Sequence, residues 1–551
     1  MPLSRAGGSV ESEMSDDATF SDELLVGLTP EQRDAVTSPA RRLLVRATAG
    51  SGKTHVLTLR MQRRIALGEV DPDQVLAMTF TRKAGDELRT RLFRAGIRDI
   101  RAGTFHRAAM AIVNEYRADH HLAALKIESS RKRLVAALLA SLDDDGPPIE
   151  DHLAPRIDLE IGWALSQGFD GALYAKNARK FRRDCPLPVA EFADLLDRYV
   201  GLCRSRGVLD FDLLLKEAIT LLRDQPRVKA AFRHRTRALF VDETQDMNPL
   251  QFQLLQQMAG DDPDLFCVGD PNQSIYGFNG ANPQLLTEVI RTWPDTVVLD
   301  LTRNHRSTRA IVTVANTLLE EGARGLVPAH DDGPIPVIRS YDTDLEEAEH
   351  VAKWLTIHHQ PGSPWRSMGV LARTNAQLEL IATVLEDNGI PFERRGFEHG
   401  PSSDLNPDEW KKRDVNVEQP DAVALSTIHR SKGLEFQHVV VIGFAEGQLP
   451  NYNATTEADI AEEQRLAYVA LSRAEESLLL TWSKALNDPR FGGRHPSRFL
   501  TPIQAAVDRL QAERAPASPE VRRSRLAAIR EQLEASLAAA EPPPGPAPLQ
   551  R

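Results

Sequence analysis

Leu43-Leu44-Val45-Arg46-Ala47-Thr48-Ala49-Gly50-Ser51-Gly52-Lys53-Thr54 is the stretch that decides the fold of this chain. Leu43-Leu44-Val45 is a short apolar run of strand type, and it feeds a glycine-rich turn. From His55 to Ala66 the text carries helical spacing. A tight turn between a strand and a helix points backbone N–H groups at an anion, and the helix N-terminus adds partial positive charge. Lys53 has the reach for the β- and γ-phosphates of a nucleotide, and the Thr54 hydroxyl suits Mg²⁺. One glycine of the general phosphate-loop pattern is missing, since position 47 is Ala. A chance glycine-rich turn is the bland alternative, and the flanking strand and helix argue against it.

Outward from this loop the pattern repeats. Val75-Leu76-Ala77-Met78, Ala238-Leu239-Phe240-Val241 and Leu265-Phe266-Cys267-Val268 read as buried strands, and helical text separates them. Such alternation implies an α/β fold with parallel sheets. Helical spacing alone fills about 110–235, an insertion. A second α/β unit is expected from about 298, with strands near 335–340, 368–372, 423–427 and 438–443. Residues 1–21 are small, polar and acidic and read as a disordered tail. Residues 397–420 read as a loop or a much reduced subdomain. Leu526, Ile529, Leu533 and Leu537 mark one amphipathic face near the end, before Pro542-Pro543-Pro544.

Bulk composition bounds the function. The chain has 551 residues, which at roughly 100–200 residues per domain suggests three to five domains. No apolar run approaches the ~20 residues of a membrane span, and Met1 to Asp17 lack the apolar core of a signal peptide. A cytoplasmic protein without a membrane partner is expected. Cys185, Cys203 and Cys267 form no CxxC pair, which argues against zinc and against a disulfide framework. The net charge of −11 argues weakly against nucleic acid, but binding needs only a local basic footprint. Three basic runs supply candidates: Arg89, Arg91, Arg94, Arg98, Arg101 and Arg107; Lys176, Arg179, Lys180, Arg182 and Arg183; and Arg227, Lys229, Arg233, Arg235 and Arg237. Solvated helix faces are an equally good reading of each run alone.

Two further stretches carry chemistry. Leu239-Phe240-Val241-Asp242-Glu243 is an apolar strand that ends in adjacent carboxylates. Asp242 is placed to hold Mg²⁺ and Glu243 to orient and deprotonate a water. In Val268-Gly269-Asp270-Pro271-Asn272-Gln273-Ser274-Ile275-Tyr276-Gly277-Phe278 a strand ends in a polar loop. Gln273 is the candidate sensor of a γ-phosphate, and Tyr276 and Phe278 are candidates for base stacking. Core aromatics are the competing reading of that segment.

Taken together, Asp242-Glu243-Thr244-Gln245-Asp246 and Gly269-Asp270-Pro271-Asn272-Gln273-Ser274-Ile275-Tyr276 resemble motifs II and III of superfamily 1 helicases of the UvrD/Rep/PcrA group. The other motifs follow in order. Leu28-Thr29-Pro30-Glu31-Gln32 resembles the Q motif, Thr79-Phe80-Thr81-Arg82-Lys83-Ala84 motif Ia, and Gly103-Thr104-Phe105-His106 motif Ib. Asn304-His305-Arg306-Ser307 resembles motif IV. Thr427-Ile428-His429-Arg430-Ser431-Lys432-Gly433-Leu434-Glu435-Phe436 resembles motif V. Glu462-Glu463-Gln464-Arg465-Leu466-Ala467-Tyr468-Val469-Ala470-Leu471-Ser472-Arg473-Ala474 resembles motif VI.

The resemblance implies two RecA-like lobes with ATP and Mg²⁺ between them. It implies lobe 1 at 22–110 and 212–297, a helical insertion at 111–211, lobe 2 at 298–512 and a tail at 513–551. It assigns nucleotide contacts to Gln32, Ala49, Gly50, Ser51, Gly52, Lys53, Thr54, Arg60, His305 and Glu435, and metal contacts to Thr54 and Asp242. Catalysis falls to Lys53, Asp242, Glu243, Gln273 and the arginine fingers Arg306 and Arg473. Single-stranded DNA falls to Phe80, Arg82, Thr104, His106, Tyr276, Phe278 and His429. The implied activity is ATP-driven 3′ to 5′ movement on single-stranded DNA and opening of 3′-tailed duplexes, in repair, recombination or replication restart.

Several positions depart from the family pattern. His305 stands where the family has a Tyr on adenine, His55 where it has Arg, Arg82 where it has Asn, and Phe278 where it has Trp. The large subdomain 2B is reduced to a vestige around 395–420, which makes translocation a safer expectation than efficient unwinding. This trimmed layout resembles an actinobacterial UvrD-like branch. The stretch 519–540 has two readings, a docking helix for a repair protein or a helix packed back on its own lobe. An ATP-switched DNA clamp with weak unwinding is the competing function.

Overall fold

The computed structural model describes residues 23–97, 99–142, 151–181, 183–394, 420–485 and 493–515. In the first lobe α1 (Pro30–Thr37) precedes β1 (Arg42–Ala47), and α2 (Lys53–Ala66), β2 (Val75–Thr79), α3 (Arg82–Arg94), β3 (Arg101–Thr104) and α4 (Phe105–Asp119) follow. Next come the helices α5 (Arg131–Ala140), α6 (Ala154–Ser166), α7 (Gly171–Asn177) and α8 (Val189–Arg206). The chain then returns through α9 (Phe211–Asp224), α10 (Pro226–Arg235), β4 (Ala238–Val241), α11 (Pro249–Ala259), β5 (Asp264–Gly269), α12 (Leu285–Thr292) and β6 (Val297–Leu301).

Six strands make one parallel sheet in the order β3-β2-β4-β5-β1-β6. Side chains alternate across a strand, so an all-apolar strand needs cover on both faces. Leu43 and Val45 join a core with Val36, Leu57 and Leu92, whereas Leu44 joins the opposite core with Ile112, Leu214 and Leu255. Helices α5 to α8 close on a core of their own around Ile161, Trp163, Tyr174, Phe192 and Tyr199. At the root of this insertion Lys126–Ile127 pairs with Val208–Leu209. There too the buried Asp210 accepts from Arg131 Nε at 3.0 Å, Tyr199 Oη at 2.7 Å and the Leu213 amide at 2.8 Å.

The second lobe holds α13 (Arg309–Ala315), β7 (Val337–Thr343), α14 (Asp344–His358), β8 (Met368–Ala372), α15 (Asn375–Asp387), β9 (Phe392–Arg394), β10 (Val423–Thr427), α16 (Ile428–Ser431), β11 (Phe436–Val441), α17 (Glu457–Leu471), β12 (Ala474–Ala485) and α18 (Leu500–Arg514). Its sheet is again parallel, in the order β7-β12-β11-β8-β10-β9. Val370 and Val440 face one core, and Leu371, Val439 and Val441 face the other. The α/β class with two parallel sheets agrees with the sequence reading.

Three details differ from it. Val297–Leu301 pairs with β1, so the first sheet runs past the boundary set at 298; a strand sequence carries no mark of which sheet it joins. The interior strand β12 follows Arg473 directly and went unread, because Glu475, Glu476 and Lys484 break its apolar run. The insertion is helical apart from its short ribbon. The tail 1–21, nearly all of the expected vestige at 395–420, and the stretch 519–540 with both of its readings lie outside the described residues. Arg394 and Leu425 sit side by side in register, so the chain leaves β9 and re-enters the neighbouring strand β10.

Candidate functional site

The phosphate loop joins β1 to α2 at the carboxyl edge of the first sheet, where open α/β folds bind ligands. Gly50 and Gly52 take φ of +68° and +84°, a region that side chains disfavour. Space reinforces the requirement, because a Cβ on Gly50 would stand 2.6 Å from Asn304 Nδ2. Neighbours hold the loop in shape. Gln32 Nε2 donates to the Ser51 carbonyl at 2.9 Å, and Gln32 is itself fixed by its reciprocal cap with Thr29. Asn304 Nδ2 donates to the Ala49 carbonyl at 2.9 Å and the His305 amide to the Gly50 carbonyl at 2.8 Å. A cavity of about 750 Å³ opens here between the lobes.

Gly50, Ser51, Gly52, Lys53, Thr54, Asp242, Glu243 and Gln273 line this cavity from lobe 1, and His305, Arg306, Glu435 and Arg473 from lobe 2. Lys53 Nζ lies 3.6 Å from Glu243 Oε2 and has no hydrogen-bond partner among the described residues. Thr54 Oγ1 donates to Asp242 Oδ2 at 3.1 Å. The Lys53 charge is balanced by Glu243, while its hydrogen-bond donors are left for phosphate oxygens. A hydroxyl beside a carboxylate gives a divalent cation two protein ligands and leaves the rest to phosphate and water. The residues present therefore fit a polyphosphate with its cation.

Glu243 sits in the left-handed region at φ +51°, where a non-glycine residue stores strain. Burial opposes its ionisation, yet Lys53, Lys432 and the Gln245 amide outweigh burial and hold its carboxyl low. Burial and then the Glu243 charge push Asp242 up to about 6. Gln273 is buried and donates to Asp270 Oδ2 at 2.8 Å.

Both arginines reach the cavity from lobe 2. Arg306 donates to the Ser472 carbonyl at 2.9 Å and pairs with Glu435. Arg473 is fully buried and donates to the Val469 carbonyl at 3.0 Å, the Leu434 carbonyl at 3.2 Å and Ser472 Oγ at 3.0 Å. Burial and then Arg306 pull its guanidinium down to about 9.

Behind the cavity runs a row of rings. Phe80 stacks on Tyr276 with centroids 5.0 Å apart, and Phe278 meets His429 edge-on at 5.6 Å. Tyr276 Oη donates to the His429 carbonyl at 3.1 Å, so lobe 1 and lobe 2 share this row. Phe278 is 57% exposed. His106 meets Phe211 edge-on at 5.4 Å, and Thr104 caps α4. Burial pushes His429 down to about 3 and His106 to about 4, with Arg373 and Arg82 adding to the respective effects.

Arg60 does not belong with the nucleotide residues. It lies buried on α2 and donates to the carbonyls of Ala35, Ser38 and Ala40 at 2.8–3.0 Å. It ties the end of α1 to the helix behind the loop. Lys432, quoted in motif V but given no role, emerges as central. Its ammonium reaches Asp246 Oδ2 at 2.5 Å, the Gln273 carbonyl at 2.7 Å and Glu243 Oε2 at 3.7 Å. It also lies 5.5 Å from the Tyr276 ring centre. Glu462 accepts from the Gly277 amide at 3.0 Å, and Arg465 donates to the Ser274 carbonyl at 2.9 Å. These three residues carry lobe 2 onto the loop after β5, a pairing only the folded chain reveals.

Comparison with known proteins agrees with this arrangement. Residues 28–294 match the UvrD/REP helicase N-terminal domain, and 299–398 with 403–485 match the UvrD-like helicase C-terminal domain. The chain is 30% identical to the ATP-dependent DNA helicase UvrD2 of Mycobacterium tuberculosis over 88% of its own length and 82% of that protein. It is 29% identical to a probable DNA helicase of Mycoplasma pneumoniae over 89% and 88% of the two chains. With the DNA helicase II of Escherichia coli it shares 29% identity over 67% of this chain and 51% of that one. Two matched domains, one on each α/β lobe, and a cavity lined by both show that the chain belongs to the UvrD/Rep helicase family.

Proposed function

We propose that this protein is an ATP-dependent translocase and helicase on single-stranded DNA, with 3′ to 5′ polarity, serving repair, recombination or replication restart. The convergence of Lys53, Glu243, Gln273, Arg306 and Arg473 on one cavity shared by two lobes carries this reading. Lys53 and the loop amides grip the β- and γ-phosphates. Glu243, held ionised by its lysines, takes a proton from the attacking water. Bound Mg²⁺, held by Thr54 and Asp242, would offset negative charge on the phosphates. Arg306 and Arg473 meet the charge that develops during hydrolysis, a contribution of about 10³–10⁵ in rate. Neither lobe holds the whole set, so turnover requires the lobes to close.

Lys432 and the ring row support transmission to DNA. The same ammonium bonds the Gln273 carbonyl, pairs with Glu243 at 3.7 Å and faces the Tyr276 ring at 5.5 Å, so a change at the phosphates has a short route to the stacking face. Phe80, Tyr276, Phe278 and His429 offer faces to bases, and Arg82, Thr104 and His106 line the same side by resemblance. His305 offers a ring to adenine. The short connection between β9 and β10 favours a second reading in one respect: a chain without a large duplex-contacting subdomain unwinds weakly.

Turnover and unwinding on 3′-tailed, 5′-tailed and untailed duplexes test the proposal. ATPase activity should rise steeply with single-stranded DNA, and only the 3′-tailed duplex should open. ATP turnover indifferent to DNA would sink it, and stimulation without any opening would favour the clamp.

A further inference from the structure

Two of the three basic runs meet in space. Arg89 from α3, Arg101 from β3, Arg107 from α4 and Arg235 from α10 surround an open cavity of about 620 Å³. It lies along β3, the edge strand of the first sheet. Leu76, Ile100 and Ile112 give it an apolar floor, and Asp73 and Glu115 bring the carboxylates of its wall. Arg235 pairs with Glu115, and Arg89 with Asp86 just outside. Among the groups lining the cavity, four guanidiniums face two carboxylates, in a chain of net charge −11.

The arginines crowd one another. Burial and then Arg235 pull Arg101 below its ordinary value, and burial and then Arg89 do the same to Arg107. Arg101 Nη2 donates to the Arg235 carbonyl and to Thr236 Oγ1, and Nε is buried with no hydrogen-bond partner among the described residues. Crowded guanidiniums are relieved by an anion, and their fork geometry suits phosphate oxygens. Thr104, the residue read as a DNA contact, forms one end of the cavity. From there the groove follows a strand of four residues, a length of ~13 Å. Gly103 makes room for this, since a Cβ there would stand 2.7 Å from Arg107 Cδ. With Arg107 laid over the strand, the edge is a poor place for an added peptide strand and a good one for a phosphate.

We propose that the groove along β3 binds the phosphodiester backbone of single-stranded nucleic acid beyond Thr104, extending the strand's path off the edge of the first lobe. This rests on the single-strand reading above. The arginines hold phosphates, and the apolar floor takes sugar and base surface without reading sequence.

The test uses the full chain, the Arg107→Gln/Arg235→Gln double variant and a separate Arg89→Gln variant, each with its melting temperature matched to wild type. Affinity for a short and a long oligothymidylate is measured across a salt series. Each single-strand phosphate contact adds about 0.7 to the slope of log K against log salt. The double variant should lose about 1.4 of slope, and Arg89→Gln about 0.7, on the long oligonucleotide and none on the short one, with ATPase stimulation by the short one intact. Unchanged slope and affinity on the long oligonucleotide, with wild-type stimulation present, overturns the groove alone. Failure of wild type to bind either oligonucleotide overturns the groove together with the single-strand reading. Loss of binding to a polyglutamate peptide, with DNA binding unchanged, makes the groove a peptide site and also overturns the proposal.

Discussion

The Lys432 ammonium lies 2.5 Å from Asp246 Oδ2 across the boundary between the lobes, and both groups are buried. Removing one partner of such a pair costs about 3–5 kcal/mol, because the other charge stays behind. Lys432→Ala should therefore lower the melting temperature and reduce DNA-stimulated ATPase at least tenfold. Asp246→Asn/Lys432→Met should recover stability but not stimulation. Full stimulation in the double variant, read by steady-state ATPase with and without oligonucleotide, would remove Lys432 from the coupling route.

Glu243 is expected to act on water rather than on binding. Glu243→Gln should leave nucleotide affinity near wild type and cut turnover by about 10²–10⁴. Isothermal titration and single-turnover hydrolysis read the two quantities separately. Undiminished turnover rejects the assignment.

Arg473 has all its described hydrogen bonds inside its own lobe, so its substitution probes both fold and chemistry. Arg473→Lys keeps the charge but loses the fork. Turnover should fall about 10³-fold with little change in ATP binding, and circular dichroism should confirm an intact fold. A rise in KM with kcat unchanged would place Arg473 in ground-state binding instead.

Phe278 is the exposed member of the ring row. Phe278→Ala should weaken single-strand affinity by about 1–3 kcal/mol while leaving the melting temperature nearly unchanged. Fluorescence anisotropy with labelled oligothymidylate reads the first, and unaltered affinity denies Phe278 a stacking role.

The pH dependence follows from His106 and His429. Both are held neutral by burial, with folded values of about 4 and about 3 against an ordinary 6.5. A depressed folded value contributes stability that is present above the unfolded value and is lost as pH falls toward the folded one. Melting temperature should thus drop between about pH 6.5 and 4 from His106, and on toward about 3 from His429. A His106→Gln/His429→Gln variant should show a shallower drop, and an identical slope would assign the loss to other groups.

How far the sequence reached can be judged residue by residue. Strands such as Leu43–Val45 and Val439–Val441 are continuous apolar runs because both their faces are covered, and continuity is visible in one dimension. The strand at Ala474–Ala485 escaped because charged residues interrupt it at its two ends, where the sheet meets solvent. Asp242, Glu243 and Gln273 were legible because each ends an apolar strand in a polar turn. Arg60 was misplaced because helical position alone does not say which side of α2 faces the loop; four backbone carbonyls, contributed by the end of α1 and the chain after it, claim its guanidinium instead. Lys432 had no role in the sequence reading because its partners Asp246 and Gln273 lie more than 150 positions away, and a lysine shows its purpose only through what surrounds it.

The chain leaves the first sheet at Leu301 and enters the second lobe through Thr302–His305, and this passage is sewn to the phosphate loop. The Thr48 amide donates to the Leu301 carbonyl at 2.9 Å, Glu31 accepts from the Thr302 amide at 2.9 Å, and Asn304 and the His305 amide hold Ala49 and Gly50. The phosphate loop and the first residues of the second lobe are thereby one stitched corner, so a rearrangement at Gly50 is felt directly at Asn304 and His305.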